Sequence, residues 1–209
     1  NYSITENPYE VTSRWSRDGA NRKHYWVTSA TWALPFGRGR RYLATAPGAV
    51  DQILGGWGIQ AITTFATGTY FSPSFSGSDP SNTNTSGGLP DRIADGNKSG
   101  SAKTRLQWFD PKAFAVPTNG HFGNSGVNIL LSYPIHVTHL SVAKTFPITE
   151  RFKVALTGAF SNLFNQPHFQ SINTNIVNPD PGMFTSTRPN YEPEKQSYRQ
   201  VDVKIRLEW

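Results

Sequence analysis

From Val201 to the end of the chain, apolar and charged residues alternate without a break. Val201, Val203, Ile205, Leu207 and Trp209 fall on one parity; Asp202, Lys204, Arg206 and Glu208 fall on the other. Strand side chains point to opposite faces with period two, so a strand here has one apolar and one charged face. A half-buried soluble strand can carry that pattern, but a chain end usually frays and seldom holds the most apolar residues. A strand between lipid and a wet lumen must carry it, with an aromatic residue at the interface. Four other segments read as strands: 24–36, 56–71, 135–146 and 151–163, with the terminal one spanning 197–209. In the first, Trp26, Ala30, Trp32, Leu34 and Phe36 share a face; in the second, Trp57, Ile59, Ala61, Phe65 and Phe71 do. The fourth alternates Phe152, Val154, Leu156 and Phe160 with Lys153, Ala155, Thr157 and Ala159. The third has no clear phase, because His136, Thr138 and His139 interrupt its apolar positions.

The connections alternate in length. Strands three and four are joined by Pro147-Ile148-Thr149-Glu150, and the first two by a link broken at Gly37-Arg38-Gly39-Arg40. The other two connections, 72–134 and 165–196, are long. If Trp209 ends in the periplasm, both long connections fall outside the cell and both short ones in the periplasm. That asymmetry belongs to outer-membrane barrels. The expected fold is therefore all-β: an antiparallel up-and-down transmembrane β-barrel segment of about five strands with two long extracellular loops. Residues 1–209 form one domain, the C-terminal part of such a barrel.

Composition agrees with this picture. Hydrophobic residues make up only 36%, against 13% aromatics, 18 Gly and 15 Pro, a balance that suits strands with long loops. No run reaches the roughly 18 apolar residues of a spanning helix, so strands must do the crossing. Cysteine is absent, which excludes disulfides and thiolate metal sites. A net charge of +6 admits an anionic partner such as lipopolysaccharide. The basic residues are dispersed, with Arg38, Arg40 and Arg41 the only dense cluster, and no nucleic-acid module is present.

From Ser72 to Gly100 the first long connection is rich in Ser, Gly, Asn, Asp and Pro, a composition that by itself reads as linker or disorder. It then turns aromatic, with Trp108, Phe109, Phe114 and Phe122 either packing the loop onto the barrel rim or meeting a ligand. His136 and His139 face opposite sides of one strand and cannot chelate one ion, whereas His121 and His168 lie in different loops and could meet. Paired-carboxylate chemistry would need two of Asp79, Asp91, Asp95, Asp110, Glu192 and Glu194 to converge. The stretch Asp91–Asn97 has the residue types of a Ca²⁺ loop but lacks the alternating ligands, and reads as a solvated turn. No nucleophile with its base, no metal site and no cofactor is nominated.

Several blocks, in order, resemble a known family. Leu34-Pro35-Phe36-Gly37-Arg38-Gly39-Arg40 resembles an LPFGxGR turn. Gly55-Gly56-Trp57 running to Thr67-Gly68-Thr69 resembles a GGW strand, with Tyr70 in place of a proline. Phe109-Asp110-Pro111 to Phe114-Ala115-Val116-Pro117 resembles an FDPxAFxxP loop, and Phe122-Gly123-Asn124-Ser125-Gly126-Val127-Asn128 an FGNxGxN element with Val127 where Arg is usual. Phe160-Ser161-Asn162-Leu163-Phe164-Asn165, with Pro167 and Phe169, resembles an FNLFNxPxF strand end with one residue inserted. Together they are similar to the C-terminal barrel of Oar-like TonB-dependent outer-membrane receptors, over about residues 22 to 209.

The resemblance implies a Gram-negative outer-membrane location among lipid and lipopolysaccharide, a periplasmic TonB partner, and insertion by barrel-assembly machinery. That machinery would read Val201, Val203, Ile205, Leu207 and Trp209, although Phe is commoner than Trp at the terminus. It also implies uptake of a scarce nutrient, such as a glycan or metal chelate, or support of surface secretion, with Trp108, Asp110 and His121 as loop residues for ligand capture. Five strands cannot close a barrel, since the smallest have about eight and plugged transporters about 22. The chain is thus expected to be the C-terminal fragment of a larger receptor, or one piece of a split assembly completed by the remaining barrel and plug. The alternative is a soluble all-β carbohydrate-binding module or hydrolase, with Trp108 or Tyr191 as an aromatic platform.

Overall fold

The computed structural model describes residues 15–188 and 197–209. In chain order these form β1 (Tyr25–Ala33), α1 (Gly48–Leu54), β2 (Trp57–Ala66), β3 (Tyr70–Phe71), β4 (Asp91–Arg92), β5 (Phe114–Ala115), β6 (Leu130–Leu131), β7 (Ile135–Pro147), β8 (Lys153–Ser161), β9 (Phe169–Ile172), β10 (Phe184–Thr187) and β11 (Gln200–Glu208). They divide into two compact units. A sheet unit holds Tyr25–Phe65, Ile135–Pro167 and 197–209; a loop unit holds 15–24, Ala66–Pro134 and His168–Arg188.

The sheet unit is one sheet in the order β1-β2-β7-β8-β11, open at β1 and β11 among the described residues. Every neighbouring pair runs antiparallel. The Leu34 amide donates to the Trp57 carbonyl at one end of β1–β2, while Trp26 stacks on Phe65 at the other. Thr63 and Thr138 bond through their hydroxyls at 3.0 Å, and Lys144 donates to the Gly55 carbonyl, which orients β2 against β7. Leu140 pairs Phe160 and Phe146 pairs Val154; Val201 pairs Phe160 and Leu207 pairs Val154. The five strands are nine, ten, 13, nine and nine residues long. A strand crossing a bilayer at a tilt needs about 9–11.

Directly opposed residues share a face, so the register sorts the whole sheet. One face carries Trp26 and Trp32; Trp57, Ile59, Ala61 and Phe65; Leu140, Val142 and Phe146; Val154, Leu156 and Phe160; and Val201, Val203, Ile205 and Leu207. The other carries Ser29, Thr31, Gln60, Thr64, Ser141, Thr145, Lys153, Thr157, Asp202, Lys204, Arg206 and Glu208, with Tyr25, Val27, Ile62, Ile135 and Val137 as apolar exceptions. The phase of β7 is resolved by its neighbours. His136 stacks on Phe65 at 4.1 Å and so joins the apolar face with Thr138 and Lys144, whereas His139 lies on the polar one. The Lys144 amine sits 4.9 Å from the Phe146 ring and 5.4 Å from that of Trp57, so its stem lies along apolar surface while its head finds a carbonyl.

The short links close the sheet at one end. In the first, Gly37 and Gly55 approach so nearly that a Cβ on Gly37 would lie 2.7 Å from the Gly55 Cα. Asp51, in the unanticipated helix α1, accepts the Arg38 amide at 2.7 Å, and the Trp57 indole donates to the Ile53 carbonyl at 2.9 Å. The two glycine-bearing blocks are thus one tight corner. At the other end, β8 stops where Asn162 enters the left-handed region at φ 49°. Its buried amide clamps Gln166 on both sides, donating to the carbonyl at 2.8 Å and accepting the N–H at 3.0 Å. Asn165, also left-handed, accepts the Arg199 amide at 2.9 Å just before β11. The expected second strand, 56–71, is found as β2 and β3, separated at Gly68, where a Cβ would lie 2.0 Å from the Ser132 oxygen.

Asn162→Ala removes both clamp bonds and puts an alanine at positive φ. It should cost about 2–4 kcal/mol, read as a lower urea midpoint for the folded chain in micelles, while Asn162→Asp should retain part of the loss.

Candidate functional site

The loop unit joins both long connections into one body. The Ser74 amide donates to the Thr174 carbonyl at 2.9 Å, the Trp108 amide to Gly182 at 2.9 Å, and the Phe184 amide to Arg105 at 3.0 Å. Its core is aromatic. Phe109, Ala113, Phe114 and Leu130 are buried together, with Phe71, Ile129, Ile172 and Ile176 against them. Beside them Trp108, Tyr133, Phe169 and Phe184 pack at ring separations of 5.0–6.0 Å.

The Ser- and Asn-rich stretch that reads as linker is ordered, and side-chain bonds to backbone are the reason. Asp79 accepts the Ser81 hydroxyl at 2.7 Å and the amides of Thr83, Asn84 and Thr85 at 3.4, 2.7 and 3.3 Å. The Ser81, Thr83 and Thr85 hydroxyls then form a ladder with spacings of 2.7 and 2.8 Å. These donors, the Ser81 hydroxyl foremost, hold the Asp79 carboxyl below its usual 3.8. Burial of Phe75, Leu89, Pro73 and Pro90 fastens the stretch from beneath.

The blocks behind the family resemblance occupy specific posts here. Asn124 exchanges bonds with β4, its side chain accepting the Arg92 amide at 2.8 Å while its own amide donates to Asp91 at 3.2 Å. Gly123 beside it is pressed to the backbone, since a Cβ would lie 1.9 Å from the Leu89 oxygen. Phe109 and Phe114 enter the core, and Asp110 between them caps a short 3₁₀ turn by accepting the Lys112 amide at 3.0 Å. Asp95 accepts the Asn97 amide and side chain, both at 3.1 Å, and Arg92 at 3.4 Å. Asn97 is the donor mainly responsible for holding the Asp95 carboxyl low. Asp91 and Asp95 are therefore engaged, Asp91 by the Asn124 amide across β4 and Asp95 within its own turn.

The residues expected to capture ligand are dispersed. Trp108 is 8% exposed and its indole donates to the Leu131 carbonyl at 2.7 Å, so it is a packing residue. Asp110 is half-buried at its turn. His121 is exposed in a separate turn, where its amide donates to Thr118 at 3.2 Å. No hydrogen bond or ring contact joins the three among the described residues. His168 is buried edge-on to Tyr133, 6.4 Å between rings, and among the described residues no three His, Asp or Glu side chains gather as metal ligands. Tyr191, Glu192 and Glu194 lie outside the described residues.

Clefts open in the loop unit among the described residues. One of about 380 Å³ is lined by Phe71, Phe75, Leu89 and Asn128 with small hydroxylated neighbours. Another, of about 550 Å³, is lined by Arg17, Asn21, Lys23, Tyr70 and Lys103 against a wall of Asn97, Ile129 and Leu131. The Arg17 guanidinium lies 4.9 Å over the Tyr70 ring and the Lys103 amine 4.9 Å over Trp108. Burial lowers the Lys103 amine below its usual 10.5. None of these cations stands out in the sequence, because Lys103 lies far along the chain from Lys23 and only folding brings it to the stretch that holds Arg17 and Lys23.

The chain belongs to the family described as outer membrane beta barrel domain, whose model it matches over residues 1–202. The protein is thereby located in the bacterial outer membrane. No curated protein and no solved structure matches it.

Two substitutions check the loop unit. Gly123→Ala should cost about 3 kcal/mol by overpacking against Leu89, seen as early proteolytic cutting within 72–134. Asp79 has a depressed folded pKa, so its contribution is present above the unfolded value near 3.8 and is lost as pH falls through the folded one. The amides of Asn84 and Thr85 should therefore lose hydrogen-exchange protection on acidification below that value, and Asp79→Asn should lose part of it at neutral pH.

Proposed function

We propose that the chain is the C-terminal barrel segment of an Oar-like TonB-dependent outer-membrane receptor, which takes up a scarce nutrient such as a glycan or metal chelate, or supports surface secretion. The observation that carries this reading is the joining of both long connections into one aromatic-cored body. Loops that merely linked strands would not need a shared core of Phe109, Phe114, Leu130 and Ile172. In this reading both connections are extracellular, and the body they form is the capture surface. The apolar sheet face meets lipid and the polar face the lumen. The remaining barrel strands continue from the edges of β1 and β11, and a plug carried elsewhere is pulled by TonB. Val201, Val203, Ile205, Leu207 and Trp209 form the strand that barrel-assembly machinery reads. An outer-membrane location leaves no place for a soluble carbohydrate-binding module or hydrolase.

The test is the native polypeptide that ends in Ile205-Arg206-Leu207-Glu208-Trp209, extracted from outer membranes in detergent and weighed intact. A mass several times 23.2 kDa that is retained on immobilised TonB periplasmic domain is the expected result. A mass near 23.2 kDa in a soluble fraction, or no retention, would overturn it. The sheet faces have their own test. Val203→Arg, on the apolar face, should destabilise the folded barrel by about 2–4 kcal/mol. Ala159→Arg, opposite Asp202 on the polar face, should be nearly neutral by the same refolding titration.

A further inference from the structure

We infer that the cleft walled by Arg17, Lys23 and Lys103 binds a compact organic polyanion, whose carboxylate or phosphate groups meet these three cations. The inference deepens the uptake reading by naming the ligand's chemistry, and rests on it for the ligand's role as cargo. Three positive side chains converge on one cleft of about 550 Å³, and among the described residues no Asp or Glu lines it. Among the described residues none of the three forms an ion pair; the only such pair is Arg92 with Asp95. Asp18, next to Arg17 in the chain, is engaged by the Ala20 amide at 3.0 Å.

Two of the cations, Arg17 and Lys103, are held in place. Asn128 donates to the Arg17 carbonyl at 2.7 Å, which fixes the backbone beneath the guanidinium, and the guanidinium itself rests on Tyr70. Lys103 follows a 3₁₀ turn at Gly100–Ala102 and lies against Trp108, which the core and the Leu131 carbonyl hold in place. A half-buried amine is raised in energy by its desolvation, and an anion seated against it relieves that cost. Asn97 is unavailable to a ligand, since its amide already serves Asp95, Ile129 and Leu131. It forms the wall, while Asn21 adds a polar group at the rim. The volume suits a molecule of a few carboxylates, not a polymer.

The experiment is calorimetric titration of citrate into the full chain in lipopolysaccharide-free micelles at low salt, with glucose as the neutral control. Citrate should bind one per chain and glucose should not bind. Lys23→Gln and Arg17→Gln should each weaken citrate about tenfold, the size of one charge-assisted hydrogen bond. Both side chains are exposed, so an unchanged circular dichroism spectrum separates lost binding from lost folding. About 0.5 M NaCl should weaken binding further through screening. The inference is overturned by absent citrate binding, by citrate affinity in either variant equal to that of the unsubstituted chain, by equal glucose binding, or by a site that takes purified lipopolysaccharide and not citrate. The readout does not involve TonB, so a failed TonB retention and a failed citrate titration remain distinguishable.

Discussion

Every amide and carbonyl in a strand needs a partner, and the antiparallel ladder that supplies those partners also dictates which side chains share a face. In this chain that coupling organises nearly everything. Once Val201 lies opposite Phe160 and Leu140 opposite Phe160 from the other side, three strands must present their apolar residues together. A one-residue slip would turn Val203, Ile205 and Leu207 to the side of Ser141 and Thr157. β11 would then put its apolar set on the polar face and its charged set on the apolar one, which a strand in a membrane does not tolerate. The outer-membrane setting thus places the greatest demand on register, and register is what the turns secure.

The turns secure it with groups whose size or polarity leaves little choice. At one end Gly37 and Gly55 touch backbone to backbone while Asp51 collects the Arg38 amide. At the other, Asn162 and Asn165 take left-handed conformations and spend their amides on Gln166 and Arg199. Asparagine suits both tasks, since it tolerates positive φ and offers a donor and an acceptor. The loop unit uses the same devices at greater length. Asp79 replaces a missing secondary structure for its segment, and Asn124 fastens β4 by accepting the Arg92 amide. Long loops without regular structure can be ordered when each polar side chain closes a local ring and a few aromatics lie beneath.

The candidate binding surface follows from that order. Trp108 attracts attention as an exposed platform in a linear reading, yet its indole and ring are committed to the core. That commitment creates the hydrophobic support on which Lys103 rests, so an aromatic residue expected to touch ligand instead positions a cation that can. Tyr70 does the same for Arg17. Cations lying on aromatic faces are partly desolvated and fixed in direction, which makes them better anion receptors than lysines free in water.

The sequence by itself was enough for the class of fold, the outer-membrane location and four of the five phases in the sheet. These depend on alternation, and alternation is a property of neighbours along the chain. It was also enough to mark the glycine and asparagine blocks, though not what each one touches. The phase of β7 depended on Phe65 and Thr63 across the ladder, because His136 and Thr138 carry no decisive hydrophobic signal of their own. The order of 72–100 depended on Asp79, which composition counts merely as one more polar residue. Arg17, Lys23 and Lys103 became one cleft only in three dimensions. Faces of a strand are decided by chemistry two residues apart, whereas a site is decided by which distant residues the backbone brings within reach of one another.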